Sequence, residues 1–173
     1  MPMDARAVSA VTASGADCAR PGVQAAIALG ANLGDAAQTL RDALAALHQA
    51  PGVRVVRQSR LYRSAPVASS GPDYINAVAE IRTVLTAPAL LHTLQALENA
   101  AGRERPYRNA PRTLDLDVLL YGSARMQSPT LTLPHPRMGE RAFVLLPLAE
   151  IAPQLVSAAQ RQAVAQQAIE PLP

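Results

Sequence analysis

Tyr74-Ile75-Asn76-Ala77-Val78-Ala79-Glu80-Ile81 and, a little further on, Thr86-Ala87-Pro88-Ala89-Leu90-Leu91-His92-Thr93-Leu94-Gln95-Ala96-Leu97-Glu98 are written in two different periods. In the first, Ile75, Ala77, Ala79 and Ile81 alternate with Asn76, Val78 and Glu80, the period of a strand covering about 74–85. In the second, Leu90, Leu94 and Leu97 fall on one helical stripe, Thr86 is a good N-cap, and Pro88 sits in the first turn. Gly102 ends the helix. A strand that runs straight into an amphipathic helix is half of a split βαβ plan.

The other half lies upstream. Val23 to Leu29 is a short apolar run closing at Gly30, read as a buried strand. Ala31-Asn32-Leu33-Gly34-Asp35 is turn chemistry, and Asp35 can cap a helix whose Leu40, Leu44 and Leu47 share a face. Pro51-Gly52 stops it, and Val53 to Tyr62 reads as one β-rich strand with Arg54, Arg57 and Arg60 interspersed. Ser64 to Pro72 is loop. A last strand follows at about 114–121, so the order is βαββαβ. That order specifies an α+β ferredoxin-like fold: an antiparallel sheet with both helices packed on one face, plus a C-terminal extension. Gly122 to Pro134 reads as a hairpin excursion, and the chain from His135 as short helical pieces and a polar Gln/Ala-rich tail.

The last strand carries chemistry. In Arg112-Thr113-Leu114-Asp115-Leu116-Asp117 the alternation puts both aspartates on one face, about 6.5 Å apart along the backbone. Two carboxylates so placed repel unless a cation lies between them, and a pair of hard oxygen ligands is the usual protein share of a magnesium site. Alone, such a pair is more often an acidic edge strand facing water. Just before it, Gly102 to Arg112 holds Arg103, Arg105, Arg108 and Arg112 in a loop with two prolines. Guanidinium forks bind phosphate oxygens bidentately. A basic loop feeding a diacidic strand points to an anionic substrate and a metal.

Composition narrows the chemistry. The 173 residues suit one domain over 23–173, behind a head of 1–22 that reads as a disordered extension rather than a targeting segment. All sixteen basic residues are arginine. Without lysine, a P-loop and Schiff-base catalysis are excluded, and phosphate must be met by Arg, His, backbone N–H groups and metal. A net charge of +3 would suit nucleic acid, but the five aromatics are not gathered into a stacking platform, so no nucleic-acid partner is expected. No stretch approaches the roughly 20 apolar residues of a membrane helix. The single Cys18 fits a reduced cytoplasm.

Further segments join the set: Leu29-Gly30-Ala31-Asn32-Leu33-Gly34-Asp35, Tyr62-Arg63-Ser64-Ala65-Pro66, Asp73-Tyr74-Ile75-Asn76-Ala77-Val78, Leu133-Pro134-His135-Pro136-Arg137 and Glu140-Arg141-Ala142-Phe143-Val144-Leu145-Leu146-Pro147-Leu148. With the diacidic strand, the chain from about 23 to 156 closely resembles the 6-hydroxymethyl-7,8-dihydropterin pyrophosphokinases. The resemblance implies transfer of a pyrophosphoryl group from ATP to a pterin hydroxymethyl oxygen, in a cytoplasmic monomer of folate biosynthesis. It implies that Asp115 and Asp117 hold two Mg²⁺ ions and that Arg103, Arg112, Arg105 and Arg141 surround the triphosphate. By the same carry-over His135 touches phosphate, Gln95, Glu98 and Thr132 line the nucleotide, and Ser64, Ala65, Val67, Tyr74, Asn76 and Phe143 line the pterin.

Two positions depart from the pattern. Asn109 stands where relatives often carry tryptophan, and Tyr107 is the expected substitute for its ring. Ala65 stands where proline is common. Two other classes fit parts of the sequence: a metal-dependent transferase with another acceptor, and a ferredoxin-like RNA-binding module. The former gives no reason for Tyr74, Asn76 and Phe143, and the latter none for paired aspartates beside a basic loop.

Overall fold

The apolar run at Val23 becomes the inner strand of the sheet. The structure, a computed structural model, describes residues 22–67, 71–102 and 113–173. The head expected to be disordered therefore lies, but for Gly22, outside the described residues, as does the arginine loop. Strand β1 (Val23–Ala31) pairs antiparallel with β4 (Tyr74–Thr83) on one side and with β5 (Asp115–Tyr121) on the other. Along the far edge of β4 lie β2 (Val53–Gln58) and β3 (Tyr62–Ser64), both antiparallel to it. Helices α1 (Ala36–Gln49) and α2 (Ala87–Ala100) connect them.

Both expected caps form. The Asp35 carboxylate accepts from the Gln38 backbone N–H, and the Thr86 hydroxyl accepts from Ala89. Leu40, Leu47, Leu90 and Leu94 are fully buried against Ile27, Leu29, Ala79 and Ile81. Alternation in β4 is as read from the sequence: Ile75, Ala77, Ala79 and Ile81 face α1 and α2, while Val78 faces the opposite layer.

One expectation is corrected. The single strand over 53–62 is two, because at Ser59 the chain leaves the ladder. Ser59 N donates to the Val78 carbonyl, and its hydroxyl accepts from Val78 N at 3.0 Å, so side chain substitutes for backbone across the break. Both α1 and α2 pack on one face, as expected, and the C-terminal extension covers the other: α3 (Ala142–Ile151) packs Leu145 and Leu148 onto Ala26, Val78 and Leu119. The polar tail adds a strand that no sequence period announces. Past α4 (Ala158–Ala163), its last strand pairs with β3, Ser64 opposite Ile169. The hairpin excursion is present, as β6 (Met126–Gln127) against β7 (Thr132–Leu133), which makes that tail strand, Ile169–Pro171, β8.

A brace ties α3 to the β2–β3 edge. Arg57 Nη1 donates to the Ile151 carbonyl, and Arg60 N to Glu150 Oε1, each at 3.0 Å. The Tyr62 hydroxyl donates to Glu150 Oε2, while the Arg60 guanidinium lies over the Tyr62 ring. Burial pushes the Glu150 carboxyl up, but the Tyr62 and Arg60 hydrogen bonds outweigh it and hold it below the usual carboxylate range.

Candidate active site

Small residues on one face of β1 make room for the site. Ala28 and Gly30 lie directly opposite Asp117 and Asp115 of β5. A Cβ on Gly30 would lie 3.4 Å from Asn76 Oδ1, an ordinary contact, so glycine here leaves space beside the amide without being required by it. A cleft of about 430 Å³ results, a volume within the range of small-molecule sites.

One wall is diacidic. Asp115 and Asp117 both line the cleft, while Leu116 between them and Val118 after them are buried in the core, as the alternation requires. Glu98 reaches up from α2 and accepts from Leu116 N at 2.7 Å, fixing the strand between the two aspartates. Only 2% exposed, Glu98 contacts the strand rather than the open cleft.

The other wall is apolar with one oriented amide. Asn76 is 4% exposed, and its Nδ2 donates to Ser64 Oγ at 2.9 Å. That bond commits the amide's donor end and turns Oδ1 towards Gly30. Phe143, in the first turn of α3, lies with its ring 5.5 Å from the Arg141 guanidinium. Val67, a large apolar side chain 65% exposed, stands at the rim.

Nine of the residues singled out from the sequence line this cleft: Ser64, Ala65, Val67, Tyr74, Asn76, Asp115, Asp117, Arg141 and Phe143. Gln95, Glu98, Thr132 and His135 do not. Gln95 is exposed on α2 and Thr132 is half-buried on β7. His135 is held by its backbone N–H to the Leu119 carbonyl, and its Nδ1 accepts from Arg137 N. Burial, then Arg141 and Arg137, pull its pKa below the ordinary histidine value against the opposing pull of Asp117 and Asp115. The imidazole is therefore largely neutral at pH 7. Arg103, Arg105 and Arg112, with Tyr107 and Asn109, lie outside the described residues.

The sequence reading missed Ala28, Gly30, Arg137, Glu140 and Gln167, which also line the cleft. For Ala28 and Gly30 there was a signal: on β1 the large residues Ile27 and Leu29 alternate with small ones. For Gln167 there was none, since it enters from the far end of the chain.

Similarity to known proteins agrees with this geometry. The profile of the 7,8-dihydro-6-hydroxymethylpterin-pyrophosphokinase (HPPK) family matches residues 26–153. The chain is 46% identical over 132 residues to the 2-amino-4-hydroxy-6-hydroxymethyldihydropteridine pyrophosphokinase of Synechocystis sp., covering 76% of this chain and 68% of that one. It is 47% identical over 135 residues to the Haemophilus influenzae enzyme of that name, covering 78% and 84%. Among solved structures, an HPPK-DHPS in complex with substrates superposes with a TM-score of 0.64 at 12% identity, a likeness of fold. The alignment covers 84% of this chain and 43% of the larger one.

Proposed function

The chain belongs to the 7,8-dihydro-6-hydroxymethylpterin-pyrophosphokinase family, and we propose from this that its cleft is the pterin end of a two-substrate site whose reacting centre lies over Asp115 and Asp117. The enzyme transfers a pyrophosphoryl group from ATP to the hydroxymethyl oxygen of 6-hydroxymethyl-7,8-dihydropterin, releasing AMP, in folate biosynthesis. That membership sets aside the RNA-binding module and the transferase with another acceptor. What supports the site reading is the convergence of Asn76, Phe143 and both aspartates on one cleft.

Asn76 offers its oriented Oδ1 to a donor on the pterin edge, and Phe143 offers a flat face to the bicycle, a contact worth about 1–3 kcal/mol by analogy with base stacking. The two aspartates suit Mg²⁺: a pair of carboxylates lining a cleft supplies part of its coordination and leaves the remaining positions to phosphate and water, as magnesium prefers. Bound there, two such ions would neutralise charge on the ATP oxygens. In-line attack by the pterin hydroxyl needs no protein nucleophile, because phosphoryl transfer is mainly positioning and charge stabilisation. Arg141 and, from the loop before β5, Arg103, Arg105 and Arg112 supply the remaining positive charge. His135 meets phosphate, and Gln95, Glu98 and Thr132 form the nucleotide side. We also place the protein in the cytoplasm as a monomer, consistent with its lone cysteine. Among the described residues no helix is long and apolar enough to cross a membrane.

AMP release from Mg-ATP with and without 6-hydroxymethyl-7,8-dihydropterin tests the reaction. Pterin-dependent AMP is the expected result; ATP binding without it would require another acceptor.

A further inference from the structure

Gln167 is where the C-terminal tail touches the cleft. Helix α3 begins at Ala142 behind Arg141, an N-cap whose side chain makes no capping hydrogen bond. The first N–H groups of a helix have no partners within it. Gln167, twenty-five residues further along the chain, supplies one: its Oε1 accepts from Ala142 N at 2.9 Å. Its Nε2 donates to the Glu140 carbonyl at 2.7 Å. A single side-chain amide, with a donor and an acceptor on one rigid plane, therefore clamps the backbone on both sides of Arg141.

The tail is itself anchored. Gln167 N donates to the Val164 carbonyl at 3.0 Å, and Ile169 begins β8, which pairs with β3 at Ser64. The clamp thus links the start of α3, behind Arg141, to the β3 edge at Ser64, and both residues line the cleft.

We propose that Gln167 is a positioning residue for the transfer: by capping α3 from outside, it holds Arg141 in register with Asp115 and Asp117. This rests on the reading of Arg141 as a substrate-contacting residue. Glutamine is suited because the two backbone groups it meets are of opposite kind; alanine meets neither, and glutamate can accept from Ala142 N but cannot donate to Glu140.

Steady-state kinetics on the full chain, for Q167A, Q167E, R141A and the R141A/Q167A double variant, test it. Q167A is expected to lower kcat/KM about ten-fold, the scale of two lost hydrogen bonds, with Q167E between it and the parent. Because Gln167 itself lies at the surface, with only its bond to Ala142 N part-buried, cooperative thermal unfolding should be retained. In the R141A background the Q167A effect should shrink towards unity, since contacts acting through one group are not additive. An undiminished Q167A factor in both backgrounds, or an unchanged kcat/KM in Q167A alone, would overturn the proposal. An R141A enzyme with unchanged kcat/KM would overturn the Arg141 assignment first, a result read without touching Gln167.

Discussion

At the scale of single residues, Asp117 and Asn76 illustrate two kinds of dependence on the cleft. Asp117 makes its wall by alternation on a strand whose core-facing neighbours, Leu116 and Val118, are buried whatever occupies position 117. Replacing it with alanine should leave cooperative unfolding intact while turnover falls by at least about 10²–10³-fold, the usual cost of deleting one group that stabilises transition-state charge. Single-turnover AMP formation beside a melting curve separates the two; retained turnover would remove Asp117 from the reacting centre. Asn76 instead acts through an amide already oriented by Ser64. Asn76→Ala removes an acceptor from the pterin and leaves Ser64 without its donor, so pterin affinity should fall about ten-fold or more. Fluorescence titration with the pterin measures this, and unchanged affinity would mean that the ring does not reach β4. The aspartates were legible because alternation alone puts them on a common face. The acceptor role of Asn76 was not, because its orientation depends on a hydroxyl twelve residues away across two strands.

At the scale of elements, the split of the expected 53–62 strand shows where local pattern runs out. Every residue from Val53 to Tyr62 is compatible with a strand, and β-branched runs do not announce a break. What breaks it is Ser59, 5% exposed, whose hydroxyl accepts from Val78 N and donates to the Arg60 carbonyl at 2.7 Å. The hydroxyl competes with backbone pairing, as serine side chains do. Ser59→Ala leaves the Val78 N–H without that acceptor and should cost about 1–3 kcal/mol, the penalty of an unsatisfied buried donor. Urea unfolding would measure it; a stability within about 0.5 kcal/mol of the parent would mean that water or a shifted ladder replaces the hydroxyl. The helices were legible for the opposite reason. Their caps and leucine stripes are written within fourteen-residue segments, and the burial of Leu40, Leu47, Leu90 and Leu94 follows from spacing alone. Strand β8 was hidden because three residues including Pro171 carry no period, and its partner β3 lies a hundred residues upstream.

At the scale of the whole molecule, two titrating groups, one bonded to β5 and one to the β2–β3 edge, set an acid profile in two stages. His135, beside β5, has its pKa lowered chiefly by burial, with Arg141 and Arg137 adding to it. Native protein then binds fewer protons than the unfolded chain as pH falls past the ordinary histidine value of about 6.5. Its contribution is present above that pH and is lost as pH falls through the folded value. Glu150, in the brace that ties α3 to the β2–β3 edge, also ends below its ordinary value, the hydrogen bonds from Tyr62 and Arg60 outweighing burial. Its contribution is full above the unfolded carboxylate value of about 4.3 and disappears as pH drops further. Both groups therefore act in the same direction, but in separate windows. Urea-unfolding free energy should fall first below about pH 6.5 and again below about 4.3. His135→Gln should flatten the first descent and leave the second, while Glu150→Gln should do the reverse at a lower plateau, because it also loosens Tyr62 and Arg60. If the first descent survives in His135→Gln, protons are being taken up elsewhere and burial of the imidazole does not govern the neutral-to-acid limb.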